Sequence, residues 1–382
     1  MHGRRWVIQA EALLLPDGLH GPGYVTVDGD RVTAIDPGRH PHPDLDGGDG
    51  TLVPGFIDLQ VNGAGGCDFL APTEAGLAAA HDHLLRTGTV AYLPTLISAP
   101  EDRLRAALAC FADYAHRPGA PRILGVHLEG PFLSRARSGA HRPAYLRTPS
   151  VEWIGRLLDD FKGLIRIVTL APELDGALDV IDHLVARGIV AALGHTDATY
   201  DQATAAFSRG ARLATHLFNA MRPFHHREPG VVGAALGHPD VTCSVIADLV
   251  HLHPATLRQV IALKGPSGIV LVTDAIAAAG APPGSLTLGD QAVSVRDGAP
   301  RLPDGTLAGS LLTMDQALRN MASVGISPAD ALRMASATPA GLLGIDDIGL
   351  ALGRRADLVV LDSTMRVATT IVSGQIVRRR QE

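Results

Sequence analysis

The sequence predicts a (β/α)8 barrel that carries a small β-sandwich domain built from both chain ends. Three observations carry this reading. Eight short apolar runs alternate with helix-like segments through the middle of the chain. The C-terminal ends of those runs hold histidines and carboxylates, where a barrel of this kind keeps its reactive groups. Both ends of the chain instead read as short strands broken by turn residues. An open, doubly wound sheet is the alternative for the middle.

The elements follow in order. Residues 1–54 contain strand candidates at Trp6-Val-Ile, Tyr24-Val-Thr-Val and Arg31-Val-Thr-Ala-Ile, separated by Asp17-Gly18, Asp28-Gly29-Asp30 and a Pro/Gly/Asp-rich loop. The segment 347–382 returns to this style, with strands expected at 357–362, 367–371 and 375–378. Together, 1–54 and 347–382 form the expected small domain, and 55–346 the barrel. Within the barrel, apolar runs lie at 56–61, 89–93, 123–128, 165–170, 189–193, 213–215, 241–247 and 269–272. Runs of this length bounded by turn residues suit buried parallel strands. Helices are expected at 74–86, 101–116, 151–160, 176–186, 200–208 and 254–263, then at 313–323 and 328–342. Pro100 and Pro254 sit where a first helical turn tolerates proline. The connection 221–239 is looser and rich in Gly and Pro.

Composition excludes several classes. Hydrophobic residues make up 46% and charged residues 19%, the balance of a globular protein with a sizeable core. The net charge of −6 offers no basic field for nucleic acid. The basic run at 378–380 is short and terminal. No run is long enough to span a membrane and no signal sequence is evident, so the cytoplasm is expected. Cys67, Cys110 and Cys243 show no paired spacing, which fits a reducing compartment and argues against a thiolate metal site.

The chemistry gathers at the run ends. In chain order these are Asn62, Pro94-Thr95, Glu129, Ala171-Pro172-Glu173, His195, His216, Asp248 and Asp274. Glu129, His195 and His216 make one carboxylate and two imidazoles, the ligand set of a catalytic metal site with an open position. A divalent cation there polarises a carbonyl and lowers the pKa of a water to about 7. Taken alone, Glu129 also suits a buried ion pair. Asp274 ends an apolar run and can move a proton beside such a water; a helix N-cap is its alternative. His127 precedes Glu129 by two residues, so it shares its face of the strand and supports the site from behind. Gln60 and Asn62 read as polar lining, and His81 and His83 as solvent-facing helix residues. His141 either reaches the mouth of the site or is a plain loop residue. The stretch 219–230 combines Asn219, Arg222, His225, His226 and Arg227 and suits an anionic group such as phosphate. His251 and His253 resemble a second H-x-H pair, or one of them meets substrate.

These residues fall within motifs. The runs P-G-F-I-D at 54–58, H-L-E-G-P at 127–131, G-H-T-D-A-T-Y at 194–200, T-H-L-F-N-A-M at 215–221, R-E-P-G at 227–230, V-T-D-A at 272–275 and A-G-S at 308–310 follow one another along the chain. In that order they resemble the N-acetylglucosamine-6-phosphate deacetylases of the amidohydrolase superfamily.

The resemblance implies a homodimer and one divalent cation per subunit, zinc or iron, held by Glu129, His195 and His216. It implies that Asp274 transfers the proton and that His141 orients or polarises the acetyl carbonyl. Substrate contacts would come from Ala140, Asn219, Ala220, Arg227, His251, Leu307, Ala308 and Gly309. Arg227 would reach the phosphate of a neighbouring subunit. The implied reaction is hydrolysis of the acetamide of N-acetyl-D-glucosamine 6-phosphate to D-glucosamine 6-phosphate and acetate. Another N-acetyl hexosamine phosphate, such as N-acetylgalactosamine 6-phosphate, is the alternative substrate. A barrel that only binds sugar phosphate is the non-catalytic alternative.

Two departures matter. Gln60-Val61-Asn62 stands where the superfamily has H-x-H, which implies a mononuclear site. Leu249 stands where glycine is common in the family, which implies an altered loop around His251. A binuclear cyclic amidase needs a carboxylated lysine at the end of the fourth strand. The chain has only Lys162 and Lys264, and neither lies there.

Overall fold

The computed structural model describes residues 5–114, 117–282 and 286–380. Residues 1–4 and 381–382 of the expected terminal domain, and the last two of the expected helix 101–116, lie outside them. Eight parallel strands form the central ring: Phe56–Val61, Thr89–Ile97, Val126–Glu129, Ile165–Leu170, Val190–Leu193, Leu213–Ala214, Thr242–Ile246 and Ile269–Val272. Each pairs with its successor in sequence. The ring closes between the eighth and first strands. Asp274 N–H donates to the Gln60 carbonyl at 2.8 Å, and Asn62 N–H donates to the Ala275 carbonyl at 2.7 Å. The expected barrel is therefore the observed one.

The strands are apolar along their length because both faces are covered. The first two are buried at every residue. Helices supply the outer cover. Val151–Asp160 is capped by Ser150, whose side chain accepts from Trp153 N–H, and it buries Trp153, Ile154, Leu157 and Leu158. That i, i+1, i+4, i+5 spacing is one helical face. Tyr200–Ser208 starts with a reciprocal box between Thr199 and Gln202.

Four features differ from the sequence reading. The second strand continues through Pro94 to Ile97, with Pro94 at a register shift against the first strand, where a missing donor is tolerated. The loose connection contains a helix, Gly230–Gly237. Its residues are apolar all round, so it has no period to detect and is mostly buried. The expected helix 328–342 is broken at Ser336 into Pro328–Ala335 and Ala337–Leu342. A three-stranded antiparallel sheet, Leu286–Leu288, Gln291–Arg296 and Ala299–Arg301, was not anticipated.

The terminal segments form two sheets. One orders Arg31–Pro37, Gly23–Asp28, Trp6–Ala10 and Leu45–Asp46. The other orders Gln375–Arg379, Val367–Val372, Leu358–Leu361, Thr51–Pro54, Ala12–Leu15 and Gly18–His20. The N-terminal strand Thr51–Pro54 pairs antiparallel with the C-terminal Leu358–Leu361. Ile8, Val25, Val27, Leu52, Leu358, Val360 and Ile371 meet in one apolar cluster between the sheets. Among the described residues, no helix is long and apolar enough to cross a membrane.

Candidate active site

The strand ends converge on one cavity of about 480 Å³, lined among others by Asn62, Glu129, His141, His195, His216, His251 and Asp274. Glu129 is the last residue of the third strand. His195 and His216 lie just beyond the fifth and sixth, and Asp274 just beyond the eighth. Each of these last three takes a left-handed backbone: φ is 49° at His195, 31° at His216 and 50° at Asp274. Such conformations cost about 1–3 kcal/mol each and concentrate at functional sites. Here they turn the side chain inward from a chain that is leaving the sheet. Gly309, at φ 66°, is required at the rim: a Cβ there would lie 2.6 Å from the Asp274 carbonyl oxygen.

Three ligand atoms form a near-equilateral triangle. Glu129 Oε1 lies 3.0 Å from His216 Nε2 and 3.3 Å from His195 Nε2, and the two ring nitrogens are 3.1 Å apart. A cation about 2.0–2.2 Å from each atom would hold them at about this separation. His195 Nδ1–H donates to the Arg137 carbonyl at 3.0 Å, which leaves the Nε2 lone pair facing the triangle. Without a cation or a shared proton between them, two such nitrogens at this distance repel. The donor set of two imidazoles and a carboxylate suits zinc or iron(II). Glu129, His141 and His195 also offer ligand atoms within 4.8 Å of one another. That grouping is looser, with His141 Nε2 3.7 Å from Glu129 Oε2. His141 Nδ1 accepts from Ser98 N–H at 3.2 Å and sits 2.9 Å from Ser98 Oγ. Its proton is therefore on Nε2, which makes it a donor to the cavity rather than a ligand.

The surroundings set the charges. Burial raises the Glu129 carboxyl, but the surrounding imidazoles of His141, His195 and His216 outweigh it and hold the group well below the usual range. Burial lowers His141 to about 4, so the ring is neutral near pH 7. Burial, then the charge of Glu129, raises Asp274 to about 6. Asp274 is no helix cap: no helix follows it, and its Oδ1 accepts from Asn62 Nδ2 at 2.6 Å. Gln60 Nε2 donates to Glu129 Oε1 at 2.9 Å. The amides of Gln60, in the first strand, and Asn62, just past it, thus steady the two carboxylates of the site.

Behind this layer lies a second. His127 is buried, 2.7 Å from Thr169 Oγ1 and 3.1 Å from the Leu59 carbonyl, and Thr169 Oγ1 is 2.8 Å from Thr215 Oγ1. Asp58 is fully buried and accepts from Thr273 Oγ1 at 2.5 Å and from the backbone N–H groups of Thr273 and Gln60 at 3.2 Å. It ties the first strand to the eighth, and burial raises it to about 7. Glu173, past the fourth strand, accepts from Thr196 Oγ1 and Asp197 N–H and holds the loop after His195.

Ala140, Asn219, Ala220, Leu307 and Gly309 line the cavity, while Ala308 between the last two is fully buried. Arg227 is exposed, outside the cavity, and its Nη1 is 2.8 Å from His226 Nε2. Arg222 turns to Asp197 at 3.3 Å. The guanidinium groups lining the cavity are instead Arg137 and Arg301, which the sequence reading missed. Arg301 comes from the unanticipated sheet. Its turn Asp297-Gly298, with φ 52° and 73°, was a visible hairpin signal. His253 does not pair with His251: its Nδ1 accepts from Ala255 N–H at 3.1 Å and caps the helix Pro254–Lys264. His81 is not solvent-facing but buried, 2.8 Å from the Tyr92 hydroxyl, on the same helix face as Leu77, Leu84 and Leu85. His83 is half-buried.

The amidohydrolase family pattern matches residues 51–377. N-acetylglucosamine-6-phosphate deacetylase of Rattus norvegicus is 43% identical over 347 residues, 87% of this chain and 84% of that protein. N-acetylgalactosamine-6-phosphate deacetylase of Escherichia coli O157:H7 is 37% identical, over 97% of this chain and 98% of that one. Among solved structures, a mutant N-acetyl-D-glucosamine-6-phosphate deacetylase from Mycobacterium smegmatis, in complex with N-acetyl-D-glucosamine-6-phosphate, superposes with a TM-score of 0.94 at 40% identity, over 98% of this chain and 100% of that one. The chain belongs to the amidohydrolase family, and within it to the N-acetylglucosamine-6-phosphate deacetylases.

Proposed function

We propose that this chain hydrolyses the acetamide of N-acetyl-D-glucosamine 6-phosphate, giving D-glucosamine 6-phosphate and acetate. The observation that carries the reading is the Glu129–His195–His216 triangle with the Asp274 carboxylate lining the same cavity. One divalent cation, zinc or alternatively iron, held by those three residues would polarise the acetyl carbonyl and acidify water. Asp274 takes the proton of the attacking water. Its Oδ1 is engaged by Asn62, so Oδ2 does this work. The same carboxyl then passes the proton to the departing nitrogen. His141, neutral and protonated on Nε2, donates to the carbonyl oxygen as negative charge develops there. Asn219, Ala220, His251 and the segment 307–309 contact the sugar phosphate.

Arg227 is exposed and does not line its own chain's cavity, which supports its use in a neighbouring subunit's site and hence a homodimer. We divide the chain into a terminal domain, 1–54 plus 347–382, and a barrel domain, 55–346. The cysteines are free, in keeping with the cytoplasm.

The test is acetate release from N-acetyl-D-glucosamine 6-phosphate, with and without a chelator. Asp274→Asn should lower turnover at least about 100-fold with metal content unchanged. Wild-type turnover in that variant would remove Asp274 from its role. The Escherichia coli relative favours a second substrate, N-acetyl-D-galactosamine 6-phosphate, and the same assay ranks the two by kcat/KM.

A further inference from the structure

His251 lines the cavity, yet nothing in its own strand fixes it: it sits in a turn three residues past Asp248. Asp248 supplies the fixing. Its Oδ1 accepts from Val250 N–H at 2.9 Å and from His251 N–H at 2.8 Å, and its Oδ2 lies 2.7 Å from His251 Nδ1. Both side chains are largely buried, at 13% and 5% exposure. Leu249, between them, has φ 65°. A leucine in that region is strained, and the two backbone hydrogen bonds to Asp248 are what hold it there.

We propose that Asp248 is a positioning residue for substrate binding: it keeps a proton on His251 Nδ1 and so commits Nε2 to the cavity. A carboxylate accepts only, so Nδ1 must donate. Nε2 is then the one ring atom free to change state, as acceptor from a hydroxyl when neutral or charged donor to an anion when protonated. The inference rests on the deacetylase reading for its kinetic arm alone.

Asp248→Asn separates orienting the ring from shaping the turn. An asparagine Oδ1 still accepts from Val250 and His251 N–H, so the turn survives. Its amide NH2 now faces Nδ1 as a donor, which moves the ring proton to Nε2. Substituting a carboxylate by an amide in this way leaves geometry intact and inverts the tautomer. The experiment is run on the full-length, metal-loaded protein. Nitrogen-15 chemical shifts of His251, assigned by comparison with His251→Gln, should report an Nδ1–H ring in the wild type and an Nε2–H ring in Asp248→Asn. KM for N-acetyl-D-glucosamine 6-phosphate should rise about 10-fold or more, with a much smaller change in kcat. Asp248→Glu should recover part of the loss only if its carboxylate reaches Nδ1, which the same spectrum reports. An unchanged tautomer in Asp248→Asn, or a changed tautomer with unchanged KM, overturns the proposal. A wild type inactive on the sugar phosphate would sink the functional reading instead, and the spectrum would still decide the tautomer.

Discussion

Replacing Asn62 with leucine tests how the site sets its base. Asn62 Nδ2 donates to Asp274 Oδ1 at 2.6 Å, while its own Oδ1 is buried without a partner. Leucine keeps the branched skeleton with bulkier methyl groups at its tips, and the side chain lines the open cavity, so the variant removes one donor and one orphaned acceptor. Burial and the charge of Glu129 already raise Asp274 to about 6, and the Asn62 hydrogen bond is among the effects pulling it down. A hydrogen bond to a charged group contributes about 1.5–3 kcal/mol. At about 1.4 kcal/mol per pKa unit, that is one to two units. Water admitted from the cavity replaces part of the lost donor, so we expect a rise of about one unit. Asp274 works ionised, so a higher pKa moves the acid limb of the rate profile upward. The assay is kcat/KM between pH 5 and 9 for both proteins at equal measured metal content, so that the cation's own field is common to both. Along the acid limb the variant should be several-fold slower, approaching the ten-fold limit of a one-unit shift, while on the alkaline plateau the two should converge. An acid limb that stays in place, or a loss equal at every pH, would show that Asn62 does not act through the ionisation of Asp274.

Other tests follow from the same geometry. Removing the cation with a chelator should abolish acetate release and lower the thermal midpoint, with zinc or iron(II) restoring both; each hundred-fold excess of ion over its Kd adds about 2.7 kcal/mol to the folded state. Asp58 is held near 7 against an ordinary 3.8, so the native protein keeps a proton that the unfolded chain releases. The stability this gives is full below about pH 4 and is lost as pH rises through about 7. Urea unfolding of the metal-free protein should therefore show a steeper decline between pH 4 and 7 for wild type than for Asp58→Asn; equal slopes would show that Asp58 does not carry that dependence.

The barrel was legible because its strands are covered on both faces. Burial on two sides requires continuous apolar runs, and 56–61, 165–170 and 269–272 coincide with observed strands. The unread elements lacked such a pattern. The helix Gly230–Gly237 is apolar all round, and the sheet 286–301 has one or two buried residues per strand. The triangle residues were legible for a related reason. Parallel strands place their C-terminal ends at one rim, so chain order alone brought Glu129, His195 and His216 there.

What the sequence could not determine is direction and partnership. Local residue types say that His251 and His253 are alike, yet one faces the cavity and the other caps a helix. The basic loop 219–230 reads as one patch, yet Asn219 lines the cavity while Arg227 lies outside it. Gln60 and Asn62 read as lining, and only their distances to Glu129 and Asp274 show that each steadies one carboxylate. Composition and spacing decide which groups reach the rim. The backbone angle at each exit, and the neighbour that takes the second hydrogen bond of each ring or carboxyl, decide what those groups can do. Those are set by contacts between residues distant in the chain, 212 positions apart for Asn62 and Asp274, and so belong to the folded chain alone.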